Sequence, residues 1–592
     1  MNRRQFLSLA GATCCSGQED RIAEKGGWRL RTDAAGNVLS LRRGSVELAD
    51  PGLPANAPRV TGPARLRYAV DLIELAGGAV ALEQTVTIEA GSGGGPVRVD
   101  VPRPLRLPGP AVSTFAPLKN GIGRRARGRT DCAYEFAGAH AVAQPLRLAL
   151  PMVSETAGGL RLTQATDPAF SAGFGQTVHW IYPDTVPLPV GETRTIHTVI
   201  HKGEEKAALE AFYATALRDV REGPDWLHEV AMVDYDFLSK NGRGWFADID
   251  ALEQMVDRRD RHKVLLALHG WYDFCGRYTY DAKTGSLDRK WTAFPNARAP
   301  EVQKLAERPV NGNPFHWPAA SIRALQPVEM TVEDVHRRLR YARSRGFRAA
   351  LYFADGLNAC DGIAGFDPSM VLRWGGWTGP ETRGKSYAMN PLHPAVGLFF
   401  RNYLSALLHE YGSDVDAFVW DETFYIQGED LGAGSHRGFA GRAMMQLVKD
   451  LTAMTGAHRK ELAFLSSDDV GMGDRYQAPY ALVAHGTYQD SGCAPKGWPY
   501  GLFPNFRNTL WSCNWAPMRA FDRSAYAADV FDVPVAISNG YGEDLGVANM
   551  QPDQSKKLVA LFDRRKGRRM EIAWIEERDG SLTYKGRPVR AI

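Results

Sequence analysis

The sequence has 592 residues, which is too long for one ordinary hydrophobic core and favours several domains. Hydrophobic residues make up 44% of the chain and charged residues 23%, and no apolar run approaches the ~18 residues of a membrane span, so we expect none. The net charge is only +4, with basic residues scattered apart from clusters at 124–127 and 564–569. We therefore expect no nucleic-acid partner.

The N-terminus, residues 1–22, carries paired arginines (Arg3, Arg4), then Phe6-Leu7 and a short apolar stretch. This pattern is typical of a twin-arginine export signal and predicts a periplasmic or secreted protein. Cys14 or Cys15 is a possible lipid attachment site, although Thr13 fits poorly before it. The remaining cysteines are widely separated and show no metal-ligand spacing, so we expect neither a metal nor another cofactor.

Residues 23–203 show strand periodicity with glycine- and proline-rich turns, which predicts an antiparallel β-sandwich. Residues 204–228 are helix-forming and are predicted to be a helical linker. Residues 570–592 are predicted to form a C-terminal hairpin with its turn at 578–581.

From residue 229 to 569 apolar strand candidates alternate with amphipathic helices. The eight candidates are 230–233, 264–268, 349–353, 417–420, 462–465, 481–484, 509–511 and 533–537. This spacing predicts a (β/α)₈ TIM barrel, so the fold class is multidomain β plus α/β, with the sandwich before the barrel. A doubly wound open sheet is the alternative, but no Gly-x-Gly-x-x-Gly turn follows the first strand.

Polar and aromatic residues cluster at or just after these predicted strands, where the active site of such a barrel lies. Carboxylates among aromatic rings suit a carbohydrate, because rings stack on sugar C–H faces and carboxylates bind hydroxyls or catalyse. The predicted substrate-binding residues are Asp234, Asp236, His269, Trp271, Asp273, Asp355, Trp377, Trp420, His485, Tyr488, Trp515 and Asn539.

Glycoside cleavage needs two carboxyl groups, one ionised and one able to give a proton to the leaving oxygen. Asp421 is the predicted nucleophile, because an apolar strand delivers it to the barrel mouth. Asp490, after the sixth strand, is the preferred acid. Asp468, Asp469 and Glu422 are the alternatives.

The stretch Met389-Asn390-Pro391-Leu392-His393-Pro394, the helix after it and Val415 to Asp421 resemble a passage of the retaining α-galactosidase/α-glucosidase superfamily. Tyr488-Gln489-Asp490-Ser491 resembles the acid segment of that superfamily, and 268–272 resembles its substrate-lining second strand. The resemblance implies a strand-four nucleophile at Asp421 and an acid/base at Asp490. Val419 stands where α-galactosidases have lysine, and the related endo-α-N-acetylgalactosaminidases take their acid from strand five.

We therefore expect an exported glycoside hydrolase that cleaves an α-linked sugar with retention and acts on a carbohydrate partner. An inverting hydrolase or a transglycosylase on the same scaffold is one alternative, and a non-catalytic glycan-binding protein is another. The sugar, the linkage and the oligomeric state are not defined by the sequence.

Overall fold

The computed structural model describes residues 20–52, 56–90, 98–109, 113–117, 122–127, 133–136, 146–148, 152–165, 170–173, 177–181, 192–216, 223–236, 244–273, 276–304, 326–360, 365–374, 386–421, 432–433, 436–437, 440–466, 481–485, 509–513, 521, 525, 528–530, 532, 534–539, 546–569, 575–578 and 581–588. The export-like segment lies outside these residues, apart from 20–22.

The N-terminal region is made of strands. They are β1 Arg21–Lys25, β2 Trp28–Thr32, β3 Val38–Arg43, β4 Val46–Glu47, β5 Arg59–Thr61, β6 Ala64–Glu74, β7 Val80–Ala90, β8 Arg98–Pro102, β9 Ser113–Pro117, β10 Ile122–Arg127, β11 Ala133–Phe136, β12 Leu146–Leu148, β13 Met152–Ala157, β14 Leu160–Ala165, β15 Phe170–Gly173, β16 Thr177–Ile181 and β17 Glu192–His201. In the described residues they build a four-stranded sheet (β1–β4), a six-stranded sheet (β12-β11-β15-β16-β8-β5) and most of a ten-stranded sheet.

The core of this region lies on one face of the ten-stranded sheet. Near one end of β7, Leu82 packs in a cluster with Trp28 of the four-stranded sheet. Near the other end, Ile88 packs in a cluster with Val99 and Val101 of the six-stranded sheet. Two smaller sheets thus cover one larger sheet, which is the layering of a β-sandwich.

The helix α1, Glu205–Ala216, covers the opposite face of the ten-stranded sheet. Ala211 of α1 packs in a cluster with Ala81 and Val199 of that sheet. The predicted linker therefore contains a helix docked on the sandwich. A short 3₁₀ helix, Asp225–Glu229, leads from it into the second region.

The second region alternates strands and helices. Its strands are β18 Met232–Asp236, β19 Val264–Leu268, β20 Tyr280–Asp281, β21 Ser286–Leu287, β22 Lys290–Ala293, β23 Val328–Thr331, β24 Arg348–Asp355, β25 Asn358–Cys360, β26 Val371–Trp374, β27 Ser386–Met389, β28 Ala417–Asp421, β29 Gly432–Ala433, β30 His436–Arg437, β31 Ala463–Ser466, β32 Ala481–His485, β33 Thr509–Cys513 and β34 Val535–Asn539. Its helices are α2 Gly244–Met255, α3 Pro300–Gln303, α4 Val332–Ser344, α5 Pro394–Tyr411, α6 Ala440–His458 and α7 Pro552–Arg565, with 3₁₀ helices at Arg258–Lys263, Pro368–Met370 and Val547–Asn549.

Eight of these strands form one sheet in the order β33-β32-β31-β28-β24-β19-β18-β34. Every hydrogen-bonded pair in it is parallel. The strands follow one another in chain order, and the last, β34, pairs with the first, β18. Cα atoms of β33 and β34 also approach within 8 Å. This circular, parallel order is the order of a (β/α)₈ fold.

Local sequence signals mark the ends of two helices of this region. Thr331 caps α4, with the backbone N–H of Asp334 donating to its hydroxyl at 3.1 Å, and Gly346 follows the helix with φ of 91°. Pro394 begins α5, where its missing N–H costs no hydrogen bond, and Gly412 ends it.

The C-terminal hairpin returns to the N-terminal region. Its strands are β35 Ile575–Arg578, β36 Ser581–Tyr584 and β37 Arg587–Pro588. β35 pairs in parallel with β10, and β36 pairs with β35 around the predicted turn. The ten-stranded sheet therefore runs β37-β36-β35-β10-β9-β13-β14-β17-β7-β6.

Candidate active site

Three aromatic rings meet at the C-terminal ends of adjacent parallel strands. The His269 ring, directly after β19, lies 5.3 Å from the ring of Tyr235 on β18 and 3.8 Å from the ring of Tyr352 on β24. All three side chains are buried. They occupy the face of the parallel sheet that points away from the helices, which we call the interior face.

A β-bulge changes the direction of β24 next to this cluster. Tyr352 pairs with Val419 and Ala354 with Trp420, so Phe353 is the extra residue of β24. Phe353 faces outward, with its ring stacked on Tyr403 of α5 at 5.1 Å. Since a bulge of one residue reverses the alternation that follows it, Asp355 returns to the interior face.

Asp355 is 4% exposed and is held by two tyrosines. The Tyr272 hydroxyl donates to Asp355 Oδ2 at 3.4 Å, and the Tyr272 ring stacks on Tyr352 at 5.4 Å. The Tyr278 hydroxyl donates to the backbone carbonyls of Asn358, at 2.7 Å, and Asp355, at 3.3 Å. These contacts hold Asp355 at the end of the third parallel strand, and its role in substrate binding stays a prediction.

His269 is neutral in this setting. Burial holds the pKa of its imidazole well below the usual value, because a charged ring would lose its hydration. A neutral imidazole can donate one hydrogen bond and accept another, which suits it to bind a hydroxyl group.

Asp421 is the last residue of β28 and pairs in register with Asp355. The structure describes the backbone of Asp421. The preceding residue, Trp420, faces the helices, and successive strand positions belong to opposite faces of a sheet. The backbone thus brings position 421 beside Asp355 at the carboxyl ends of two neighbouring strands.

Trp420 and Trp271 were predicted to line the site, and the structure places both in the core. Trp420 is fully buried, stacks on Phe400 of α5 at 5.8 Å, and donates its indole N–H to the carbonyl of Gly356. Trp271 is also fully buried and donates its N–H to the carbonyl of Tyr352 at 2.9 Å. The prediction took large rings near strand ends for substrate contacts, but these rings fill the space between strands, loops and helices.

Asp234 and Asp236 also lie elsewhere than predicted. They face the helix layer, because Tyr235 between them faces the interior. Asp234 lies near Asp248 of α2, and Asp236 lies near Arg338 of α4. Burial, with Asp248 and Asp236 adding repulsion, holds the pKa of Asp234 well above its usual value. This carboxylate layer, Asp234, Asp236 and Asp248, is separated from the aromatic cluster by the strand itself.

Asp273 lies in the loop after β19 and is tied to that loop by an ion pair. Arg277 Nη1 lies 2.7 Å from Asp273 Oδ2, and Arg277 Nη2 lies 2.9 Å from Asp288 Oδ2. Burial nevertheless raises the pKa of Asp273 to about 6, which the attraction of Arg277 only partly offsets. With its carboxylate already engaged, Asp273 has a clear structural role.

Seven predicted residues lie outside the described residues: Glu422, Asp468, Asp469, Asp490, Trp377, Tyr488 and Trp515. The backbones of His485 and Asn539 are described, at the ends of β32 and β34. Asn539 pairs in register with Asp236, whose side chain faces the helix layer.

Sequence reasoning counted Tyr235 and Tyr272 among the polar and aromatic groups at the strand ends, but it did not select Tyr352. Tyr352 lies inside an apolar strand, where a tyrosine is ordinarily part of the hydrophobic core. Its hydroxyl is buried and forms no hydrogen bond to the described residues. A polar hydroxyl inside an otherwise apolar strand run is the signal that could have selected it.

Within the described part of the chain, no group of three or more His, Cys, Asp and Glu side chains is arranged to hold a metal ion. None of the helices among those residues is long and apolar enough to cross a membrane.

The sequence matches no known family profile and no curated protein. Solved structures resemble it in fold. The galactosidase domain of an α-galactosidase–sucrose kinase is similar with a TM-score of 0.50 at 11% identity, covering 92% of this chain and 84% of that one. The chain therefore has the fold of that galactosidase domain.

Two further structures are similar at lower TM-scores. An α-galactosidase from Geobacillus stearothermophilus gives 0.49 at 11% identity, covering 96% of this chain and 90% of that one. An α-N-acetylgalactosaminidase from Bifidobacterium bifidum gives 0.44 at 12% identity, covering 95% and 97%.

Proposed function

We propose that the protein is a glycoside hydrolase that cleaves an α-linked sugar with retention of configuration. One observation carries the proposal: Asp421 ends a buried parallel strand in register with the buried Asp355. Paired carboxylates at the carboxyl ends of parallel strands are where glycosidic chemistry on such a sheet would occur. The fold shared with a galactosidase domain supports the α-linked class.

The circular strand order supports a closed barrel. We infer that β33 and β34 complete a (β/α)₈ barrel whose mouth holds the site, since the other seven neighbouring pairs are already parallel. The aromatic cluster of Tyr235, His269 and Tyr352 would then form the floor of the sugar site.

In this mechanism an Asp421 carboxylate oxygen attacks the anomeric carbon as the bond to the leaving oxygen breaks. Asp490 gives its proton to that oxygen. Asp490 then takes a proton from water, whose oxygen attacks the anomeric carbon and releases Asp421 as a carboxylate. Asp468, Asp469 and Glu422 remain the alternative acids, and all four candidates lie outside the described residues.

A panel of chromogenic α- and β-glycosides, assayed with the wild type and Asp421→Asn, tests the proposal. We expect hydrolysis of at least one α-glycoside and a loss of 10³-fold or more in the variant. Asp553→Asn is the matched control, because Asp553 is exposed on α7 and its loss should leave turnover unchanged. Near-normal turnover by Asp421→Asn would refute the assignment.

The anomer released first, followed by NMR, tests the stereochemistry. Retention agrees with a covalent intermediate on Asp421, whereas the opposite anomer would indicate an inverting enzyme. Sugar binding without hydrolysis by the wild type would instead indicate a glycan-binding protein.

We also propose that the protein is exported, on the strength of the paired arginines at its N-terminus. Replacing Arg3 and Arg4 by lysine should leave the protein in the cytoplasm of a bacterial host, which cell fractionation would show.

A further inference from the structure

Strained backbone is concentrated in the segment between β19 and β23. Five non-glycine residues of the described chain have a positive φ, and three of them lie in this segment: Tyr278 at 62°, Thr279 at 51° and Phe294 at 52°. All three are buried. A positive φ is costly for any residue with a Cβ, above all for the β-branched Thr279. Such conformations persist where the surrounding structure enforces them, and they cluster at functional sites.

The phenol of Tyr278 reaches the turn that follows β24. Its hydroxyl oxygen lies 2.7 Å from the carbonyl oxygen of Asn358 and 3.3 Å from that of Asp355, so the hydroxyl spans the first and last residues of the turn. The Tyr278 ring stacks on Tyr403 of α5 with the centroids 5.5 Å apart. The Thr279 hydroxyl donates to the Tyr278 carbonyl at 2.7 Å. Both the ring and the backbone of Tyr278 are therefore held in place.

The two central carbonyl groups of the same turn are also engaged. The indole N–H of Trp420 on β28 donates to the carbonyl of Gly356 at 2.6 Å, and the backbone N–H of Met389 on β27 donates to that of Leu357 at 3.0 Å. Every carbonyl from 355 to 358 thus accepts a hydrogen bond, and the donors come from three separate elements. Because a buried carbonyl without a donor is costly, this set of donors favours one conformation of the turn.

We propose that Tyr278 is a positioning residue, which braces the turn 355–358 and so fixes Asp355 for the reaction. The inference deepens the proposed function and rests on it for the reaction itself. Tyr278 acts on the backbone of the turn, whereas Tyr272 donates to the Asp355 carboxyl at 3.4 Å. Such a brace matters for turnover because a displacement of about 1 Å in a group that holds substrate can lower the rate about 100-fold.

Tyr278→Phe tests the brace without requiring activity, because it removes the hydroxyl and keeps the ring. The carbonyl of the fully buried Asn358 then loses its donor, so the turn should open more often. We expect hydrogen–deuterium exchange in peptides covering residues 354–360 to be about tenfold faster in the variant, with exchange elsewhere in the parallel sheet unchanged. Unchanged exchange over 354–360 would overturn the proposal.

Tyr280→Phe is the matched control. Tyr280 is buried in the same segment, and its ring lies 5.4 Å from the same Tyr403. Among the described residues, no hydrogen bond joins its hydroxyl to the turn 355–358. This variant should therefore leave exchange over 354–360 at the wild-type rate. A rise equal to that of Tyr278→Phe would show that the effect comes from the segment as a whole and would contradict a specific brace.

Kinetics distinguish positioning from a purely structural role. At a temperature where both proteins are folded, the kcat of Tyr278→Phe should fall about 30-fold while KM stays within about threefold, since the site is displaced but most substrate contacts remain. A purely structural role would lower the melting temperature and leave kcat unchanged. Unchanged kcat, with hydrolysis by the wild type, would refute the positioning role and leave the proposed function intact. No hydrolysis by the wild type would refute the proposed function, and the exchange rates would still decide whether Tyr278 braces the turn.

Discussion

Asp234 on β18 lies near Asp248 on α2, and both carboxyl groups are buried on the helix side of the parallel sheet. Asp248 Oδ1 accepts the backbone N–H of Ala548 at 2.9 Å, whereas Asp234 Oδ1 has no hydrogen-bond partner among the described residues. Asp234 is thus the member of the pair that keeps its proton.

Asp234→Asn should stabilise the protein at neutral and alkaline pH. Because the folded pKa of Asp234 is raised, the wild type is most stable below the unfolded value near 3.8 and loses stability as the pH rises toward the folded value. Asparagine has no proton to lose, so we expect a gain on the order of 2 kcal/mol at pH 8 and little at pH 3.5. Chemical unfolding of the parallel-sheet region at several pH values measures this, and a gain that does not depend on pH would contradict it.

Trp420→Ala should destabilise the protein by about 3–5 kcal/mol, since a fully buried indole is replaced by a cavity. Trp420→Phe keeps a ring against Phe400 and loses the hydrogen bond to Gly356, so its cost should be smaller. Because Trp420 faces the helices, the KM of the phenylalanine variant for a hydrolysed glycoside should stay near that of the wild type. A tenfold rise in KM with unchanged stability would show that the ring contacts substrate.

Arg277→Met should raise the pKa of Asp273 above its value of about 6, because the guanidinium favours the charged carboxylate. The wild type loses stability as the pH rises from about 4 to about 6, and the variant should go on losing stability above pH 6. Asp288→Asn is the opposite control. Asp288 raises the pKa of Asp273, so its removal should lower that pKa and narrow the pH range over which stability falls. Shifts of the same sign in both variants would contradict this electrostatic account.

Ending the chain at residue 574 removes β35, β36 and β37 and exposes the edge of β10. We expect a lower melting temperature for the N-terminal region and faster aggregation, because an unpaired strand edge offers free backbone groups. Lys585 also contacts Asp532, so the hairpin joins both regions. Tyr584→Ala, at a fully buried residue of the hairpin, should shift the melting temperature in the same direction by less. Calorimetry measures the melting temperature, and light scattering measures aggregation. Unchanged values in the shortened protein would show that the hairpin does not stabilise the N-terminal region.

Most strand positions in the second region followed closely from the sequence. Val264 to Leu268 is an uninterrupted apolar run, and the structure forms β19 over those same residues. Thr331 caps α4 and Gly346 follows its end, and such ends are readable from a sequence because capping depends on neighbouring residues alone.

The face of the sheet to which each site side chain points could not be predicted from the sequence. Strands buried on both faces lack the alternation that shows which side points inward. The first strand was predicted at 230–233 and begins at Met232, so Asp234 and Asp236 lie within it and face the helices. The bulge at Phe353, which sets the direction of Asp355, depends on packing against α5 and leaves no local sequence signal.

The pairing of the C-terminal hairpin with β10 delays completion of the ten-stranded sheet while the chain is being synthesised. The ribosome makes β35, the partner of β10, roughly 450 residues after β10, which takes about 20 to 90 seconds at ordinary translation rates. During that interval the nascent N-terminal region exists with one strand unpaired at its edge. A chaperone that shields strand edges would have its longest opportunity to bind there.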